Sequence, residues 1–452
     1  VRRSQTVPQS VPKIGFYGDD FTGATDTLAS ATQAGLRSVL FLAPPTQKQL
    51  DAVGPLDCLG IAGAARSMTN AEMVAELEPV AAFFARLGTP VIHYKTCSTF
   101  DSSPTIGSIG LAVSVFRRFI DNPFVPIVGG QPNLNRYCLF ANVFAAAGLG
   151  GPVYRLDRHP TMSRHPVTPM HEADLRLHLA RQGLARVLSV PYTLYDRMPD
   201  ALDAHIDQLL AERPDAVVFD VGHDGHLATV GRILWERARR APLTAVGPSS
   251  VIQALAAHWQ QTGAKPQDVA PDKVGPAAGP VFVLAGSLSP VTARQIRAAS
   301  SFERVPVDAA RLVRRDPEYV RDLLVRVTDL LAKGHNVLAH TAPLETGDDA
   351  ASGATPRSGT PASELAKACG DFVARLLDSV HLRRVGIAGG DTSSYVLKAL
   401  DVWGLSYVGA LSPGVAVCRA HAHVPRLDGL ELMLKGGQMG PPDLFERLLR
   451  GA

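Results

Sequence analysis

Two aspartates stand side by side in a glycine-bounded turn near the start of the chain, Gly18-Asp19-Asp20-Phe21-Thr22-Gly23-Ala24-Thr25. The glycines have the spacing of a phosphate-binding P-loop, but Ala24 replaces the lysine that such a loop needs. Two carboxylates also occupy the place of the phosphate. Like charges at 4 Å repel by about 4 kcal/mol at an effective dielectric of about 20. The turn therefore suits hydroxyl groups, as in a polyol, or a cation. One aspartate would suffice to cap the helix that follows. Two aspartates with Thr22 point to a binding site, and Asp20 is a candidate to accept a proton from a bound hydroxyl.

A second turn, Lys95-Thr96-Cys97-Ser98-Thr99-Phe100-Asp101, offers one cation and three hydroxyls. Lysine is scarce, only nine of the 45 basic residues. Lys95 with Ser98 and Thr99 could hold a substrate carboxylate; a solvated lysine beside a serine turn is the plainer alternative. The proline-punctuated stretch Tyr154–Glu172 carries Arg164 and His165, either in a ligand loop or on a solvated rim.

The second half of the chain carries anion signals. Gly286-Ser287-Leu288-Ser289, with Thr292 one turn on, joins an apolar run to a helix. Gly389-Gly390-Asp391-Thr392 repeats that design, and Lys435-Gly436-Gly437-Gln438-Met439-Gly440 follows the run Glu431–Leu434. Glycine exposes backbone N–H groups, and a helix N-terminus adds its dipole, so such turns suit phosphate oxygens. Each is weak alone; three in one half favour a nucleotide. Asp391 could hold magnesium, accept a hydroxyl proton, or cap a helix that begins near Thr392. Cys418-Arg-Ala-His421-Ala-His423 alternates as a strand does and lacks a second ligand pair, so no metal site is assigned. His223-Asp224-Gly225-His226 follows the run Val217–Val221; it could supply a general base, but a turn is the plainer reading.

These turns need a scaffold that brings strand ends together. The recurring pattern is a short apolar run, a turn rich in Gly, Ser, Thr or Asp, then an amphipathic helix. Ile14–Tyr17, Ser38–Leu42, Val91–Tyr94, Phe124–Val128, Val217–Asp220 and Leu243–Val246 are expected strands. So are Val281–Ala285, Asn336–Ala339 and Val385–Ala388. Strands alternating with helices predict an α/β fold: two α/β domains with mainly parallel sheets and a ligand cleft between them. Gly263–Pro280 is the expected linker, giving domains at 1–262 and 281–452. Leu344–Pro361 is expected to be a mobile loop, and no internal repeat is evident.

The chain has 452 residues, enough to bury a large core. A net charge of +3 disfavours polyanion binding, so no nucleic-acid partner is expected. No apolar run approaches the roughly 20 residues of a membrane span. Five dispersed cysteines suit a reducing cytoplasm. Val1–Lys13 reads as a lead-in without defined structure, and the initial Val suggests that the natural N-terminus lies further upstream.

The constellation resembles the four-carbon acid-sugar kinase family. The matching segments are GDDFTGATD (Gly18–Asp26), KTCSTFDSSP (Lys95–Pro104), RHPVTPM (Arg164–Met170), GSLSPVT (Gly286–Thr292) and GGDTSS (Gly389–Ser394). They occur in the family's order across nearly the whole chain. The resemblance implies an N-terminal acid-sugar-binding domain and a C-terminal ATP-binding domain. It implies transfer of the γ-phosphoryl group, with Mg²⁺, to a terminal hydroxyl of threonate, erythronate or a 3-oxo-tetronate. Asp19, Asp20, Lys95, Ser98, Arg164 and His165 would line the sugar site. Ser287, Gly389, Gly390, Thr392 and Gly437 would line the nucleotide site, with Ser289, Thr292, Asp391 and Gly436 beside them. Val128–Asn142 departs from the family's substrate loop, and Gly436–Gly440 departs from its last glycine turn. A homodimer is compatible with this reading. Two alternatives stay open: a nucleotide-linked dehydrogenase, which should show a dinucleotide fingerprint that is absent here, and a non-catalytic acid-sugar-binding protein.

Overall fold

The structure is a computed structural model that describes residues 11–148, 150–165, 167–263, 273–342 and 362–451. Most of the lead-in, half of the expected linker and the whole expected loop Leu344–Pro361 lie outside those residues. The chain divides into two compact units, Val1–Ala270 and Pro271–Ala452.

In the first unit the strands are β1 (Ile14–Gly18), β2 (Ser38–Phe41), β3 (Cys58–Ala62), β4 (Val91–Lys95), β5 (Pro126–Val128), β6 (Arg136–Leu139), β7 (Asn142–Ala146), β8 (Val153–Arg155), β9 (Val187–Val190), β10 (Ala216–Phe219) and β11 (Leu243–Gly247). Eight of them form a parallel sheet in the order β2-β3-β1-β4-β11-β5-β10-β9. Strand β1 is buried along its whole length, as a parallel strand covered on both faces must be. The Tyr17 and Tyr94 rings stack across β1 and β4 with centroids 5.9 Å apart, and Phe116 packs edge-on against Tyr94. Strands β6, β7 and β8 form a separate antiparallel sheet.

Helix boundaries follow local chemistry. Asp20 caps Phe21–Gln33, and Gly35 just beyond that helix adopts φ 84°, which suits glycine. A Thr69–Glu72 capping box starts Asn70–Leu87, and Gly88 ends it in the left-handed conformation.

The second unit contains β12 (Phe282–Ala285), β13 (Phe302–Pro306), β14 (Asn336–His340), β15 (Arg384–Ala388), β16 (Val402–Ser412), β17 (Val415–Ala422) and β18 (Glu431–Lys435). Their order is β13-β14-β12-β15-β18-β17-β16, parallel from β13 to β18 and antiparallel beyond. Its core joins Val283, Ile296, Leu338, Val417, Met433 and Phe445.

The first four strands of the two units share one order, β2-β3-β1-β4 and β13-β14-β12-β15. This repeat of topology is invisible in the sequence, because strand order is set by crossover connections rather than by residue identity. In both units the order reverses beside the first strand. In open α/β sheets ligands bind at the carboxyl ends of parallel strands beside such a reversal. Among the described residues, no helix is long and apolar enough to cross a membrane.

Candidate functional site

In the first unit, Gly18 of β1 is in register with Ala62 of β3 and Lys95 of β4, and Lys95 with Gly247 of β11. Whatever follows those four residues therefore collects at one edge. The Asp19 N–H donates to the Lys95 carbonyl at 3.0 Å, and the Asp19 carbonyl accepts the Arg66 N–H at 3.1 Å. Asp19 is thereby fixed at the point where the strand order reverses.

The two aspartates have different surroundings. Asp20 Oδ1 accepts the Gly23 N–H at 3.2 Å, and Oδ2 accepts the Thr22 hydroxyl at 2.6 Å and Arg66 Nη2 at 2.6 Å. A Cβ added at Gly23 would fall 2.2 Å from Lys95 Nζ and 2.4 Å from Asp20 Oδ1. Only a residue without a side chain lets that ammonium and carboxylate flank the helix start. Burial pushes Asp20 up, but Arg66, Lys95, Thr22 and Gly23 together hold its carboxyl well below the usual range. Asp19 is also buried, and its Oδ1 has no hydrogen-bond partner. Burial, abetted by the neighbouring Asp20 charge and opposed by Arg66, pushes Asp19 up to about 7.

The two aspartates thus differ in what they hold. Asp20 caps the helix and anchors a salt bridge, while Asp19 keeps an unsatisfied carboxyl oxygen. Buried oxygens of this kind are rare and call for a partner. Asp101 Oδ1 is a second one. Lys95 is buried, and among the described residues its ammonium takes no hydrogen-bond partner.

Of the other expected residues, Thr22 is engaged with Asp20, and Thr99 Oγ1 sits 3.1 Å from Cys97 Sγ. Ser98 is half-buried in the same turn. Arg164 is exposed at the end of a 3-10 turn, and His165 Nδ1 accepts the Thr168 N–H at 3.1 Å. Neither bonds to the aspartate cluster. The nearby connection runs through His159, whose Nε2 lies 3.4 Å from the Ala146 carbonyl, which also accepts from Arg136.

Arg66 and Arg136 belong to no motif that the sequence displays. Arg66 lies just beyond β3, and the run Cys58–Ala62 followed by Gly63 is the signal for a further strand end. Arg136 feels the charge of Asp101 across the fold, a proximity that no local pattern announces.

In the second unit, Ala285, Ala388 and Lys435 are in register on β12, β15 and β18. Their three glycine turns therefore meet at one edge. The Gly286 and Ser287 N–H groups donate to the Ala388 carbonyl, and the Gly389 N–H to the Lys435 carbonyl. Ser289 caps the helix Pro290–Ala298, and its own N–H donates to Ser287 Oγ at 3.2 Å. Gly389 adopts φ 137°, and a Cβ there would fall 2.8 Å from Thr392 Oγ1; a Cβ at Gly437 would fall 2.5 Å from Ser287 Oγ. The turns are packed backbone to hydroxyl. The Thr292 hydroxyl donates to the Gly437 carbonyl at 3.1 Å. The helix after Gly389 starts at Gly390 and its cap is Gly389, so Asp391 does not cap it. Asp391 stands exposed in its first turn, beside Gly390. Gly436 continues from Lys435 into the third turn.

His421 and His423 fall at the end of β17 and beyond it, where His421 bonds Ser406 and stacks on Trp403. His223 caps a 3-10 turn, Asp224–His226, its side chain accepting the Gly225 N–H.

Comparison with known proteins fits this division. A family model described as a sugar-binding N-terminal domain matches residues 14–255, and one described as a nucleotide-binding C-terminal domain matches residues 282–445. A 3-oxo-isoapionate kinase of Paraburkholderia graminis is 42% identical over 451 residues, covering 97% of this chain and 94% of that protein. The chain belongs to the four-carbon acid-sugar kinase family.

Another relative of this acid-sugar kinase is a 3-oxo-tetronate kinase of Methylobacterium radiotolerans, 29% identical over 96% of this chain and 98% of its own length. A solved Salmonella typhimurium LT2 protein described as a tRNA synthase has the same fold, with a TM-score of 0.79 at 25% identity over 97% of this chain and 98% of that one. The acid-sugar kinase is therefore an enzyme that moves phosphate from ATP to an alcohol group, and the dehydrogenase and non-catalytic readings are set aside.

Proposed function

We propose that this kinase phosphorylates a terminal hydroxyl of a 3-oxo acid sugar, with 3-oxo-isoapionate the leading candidate. The observation that carries this is the 42% identity to the 3-oxo-isoapionate kinase over 97% of the chain. The more distant relatives also act, by name, on a 3-oxo acid sugar.

In this reading the edge formed by β1, β3 and β4 holds the sugar. Lys95, with its uncommitted ammonium, takes the substrate carboxylate, joined by Ser98 and Thr99. Asp20 is the scaffold: both its oxygens are engaged, by Thr22, Gly23 and Arg66, and a carboxyl held so acidic is a poor proton acceptor. Asp19 is the general base. It has an unpartnered oxygen and is pushed up to about 7, near the pH at which a base is both deprotonated and basic enough to help. Arg164 and His165 would approach the sugar from their loop.

The glycine turns after β12, β15 and β18 hold the triphosphate through backbone N–H groups, Ser287, Ser289 and Thr392. Phosphoryl transfer depends mainly on positioning and charge neutralisation, which both edges supply. Among the described residues, no three His, Cys, Asp or Glu gather as a metal site. Mg²⁺ is commonly held by one or two carboxylates together with phosphates. Exposed Asp391, beside the Gly389-Gly390 turn, is the carboxylate that fits. When bound, the ion would neutralise phosphate charge.

The test is ADP release with 3-oxo-isoapionate, 3-oxo-tetronate, threonate and erythronate. The expected result is the highest kcat/KM on a 3-oxo acid. Equal or higher kcat/KM on a plain tetronate would overturn the substrate assignment.

A further inference from the structure

Lys435 is fully buried at the end of β18, yet it is not an ion-pair residue. Its Nζ donates to Thr292 Oγ1 at 2.9 Å, to Gln295 Oε1 at 2.8 Å and to the Gly437 carbonyl at 3.4 Å. Thr292 and Gln295 lie three residues apart on one face of the helix Pro290–Ala298. Gln295 is also fully buried, and its Nε2 reaches the carbonyls of Met439, Gly440 and Pro441 at 3.0, 3.1 and 3.0 Å. One lysine and one glutamine thus bind the whole span from Gly437 to Pro441 to the helix that starts at Ser289.

We propose that Lys435 is the positioning residue of the nucleotide site, holding the Gly436–Gly437 turn against Ser287 so that its backbone faces the phosphates of ATP. This rests on the reading that the glycine turns hold the triphosphate. A buried ammonium is costly unless its hydrogen bonds do necessary work. Three acceptors satisfy Lys435, and two of them, Thr292 Oγ1 and the Gly437 carbonyl, are bonded to each other. A Cβ at Gly437 would fall 2.5 Å from Ser287 Oγ, so the turn has no slack toward the first glycine motif. Without the lysine, only the Thr292 hydroxyl would fix the Gly437 carbonyl. Burial pushes the Lys435 amine down to about 7, with no acidic side chain pulling it back. Hydrogen bonding rather than ion pairing therefore secures it.

Lys435→Met keeps the length and apolar stem and removes the donors. Steady-state kinetics should show KM for ATP raised at least tenfold, with KM for the acid sugar within twofold of the parent. Thr292→Val, which retains the shape, should move KM for ATP in the same direction by about threefold. The split between substrates is what a general loss of folding would not produce. If Lys435→Met fails to fold, Thr292→Val and Gln295→Leu carry the same readout. Unchanged KM for ATP in the folded variants, or equal rises for both substrates, overturns the proposal. Gly437→Val is the control. If it weakens ATP while Lys435→Met does not, the turns bind nucleotide and the positioning role fails. If neither changes ATP binding, the reading of the turns fails as well.

Discussion

Arg66 holds Asp20 from the side and Asp19 from behind: its Nη2 lies 2.6 Å from Asp20 Oδ2, while its backbone N–H donates to the Asp19 carbonyl at 3.1 Å. Adjacent aspartates are thereby given opposite characters, one fixed as an anion and the other left with an unpaired oxygen.

Replacing Asp19 should therefore remove a proton acceptor. Asp19→Asn is expected to lower kcat by about 10²–10⁴-fold, the range for losing a general base. In the parent, kcat/KM should rise with pH up to about 7 and then level off, as Asp19 loses its proton. A pH–rate series on both proteins checks this; an acid limb near 7 that survives in Asp19→Asn assigns the base elsewhere.

The same displacement has a consequence for stability. Asp19 binds its proton more tightly folded than unfolded, where an aspartate titrates near 3.9. Between about pH 4 and 7 the native state holds more protons, so rising pH weakens the fold through this residue, with the full cost present above 7. Against the parent, Asp19→Asn should gain stability on going from pH 5 to pH 8, by about 1–3 kcal/mol. Thermal melts at the two pH values measure it, and a difference that does not change with pH contradicts the placement of Asp19.

Much of this edge is legible in the residues themselves. In the Gly18–Thr25 turn, the missing lysine and the two carboxylates argue against a phosphate. Expected strands such as Val91–Tyr94 and Val385–Ala388 fall within one residue of β4 and β15. What the residues do not announce is long-range. Arg66 reaches Asp20 only because β3 pairs with β1. Lys435 and Gln295 are 140 residues apart in sequence, and their contact depends on which strands adjoin. The split between Asp19 and Asp20 depends on burial and on Arg66, and neither leaves a trace at adjacent identical residues.

Removing the guanidinium should expose that dependence. Arg66→Met leaves the largely buried Asp20 carboxylate with Lys95 as its remaining cation. Loss of a partly buried pair member should cost about 1–3 kcal/mol, below the range for fully buried pairs because Arg66 retains solvent contact. Denaturant melts would read it. The acid-sugar KM should rise in parallel, and an unchanged melt would mean that the pair contributes nothing.

Gly389 is the corresponding test of the second unit. At φ 137° with Thr392 Oγ1 2.8 Å from the added methyl, Gly389→Ala should destabilise by about 1–3 kcal/mol. It should raise KM for ATP more than KM for the acid sugar. A neutral melt together with unchanged kinetics would show that the turn relaxes freely.

The division of labour between the two edges is most directly measured by calorimetric titration of Asp19→Asn and Gly437→Val with acid sugar and with a non-hydrolysable ATP analogue. The account predicts a double dissociation: Asp19→Asn weakens only the sugar, and Gly437→Val weakens only the nucleotide. Nucleotide affinity lost in Asp19→Asn and retained in Gly437→Val would contradict it.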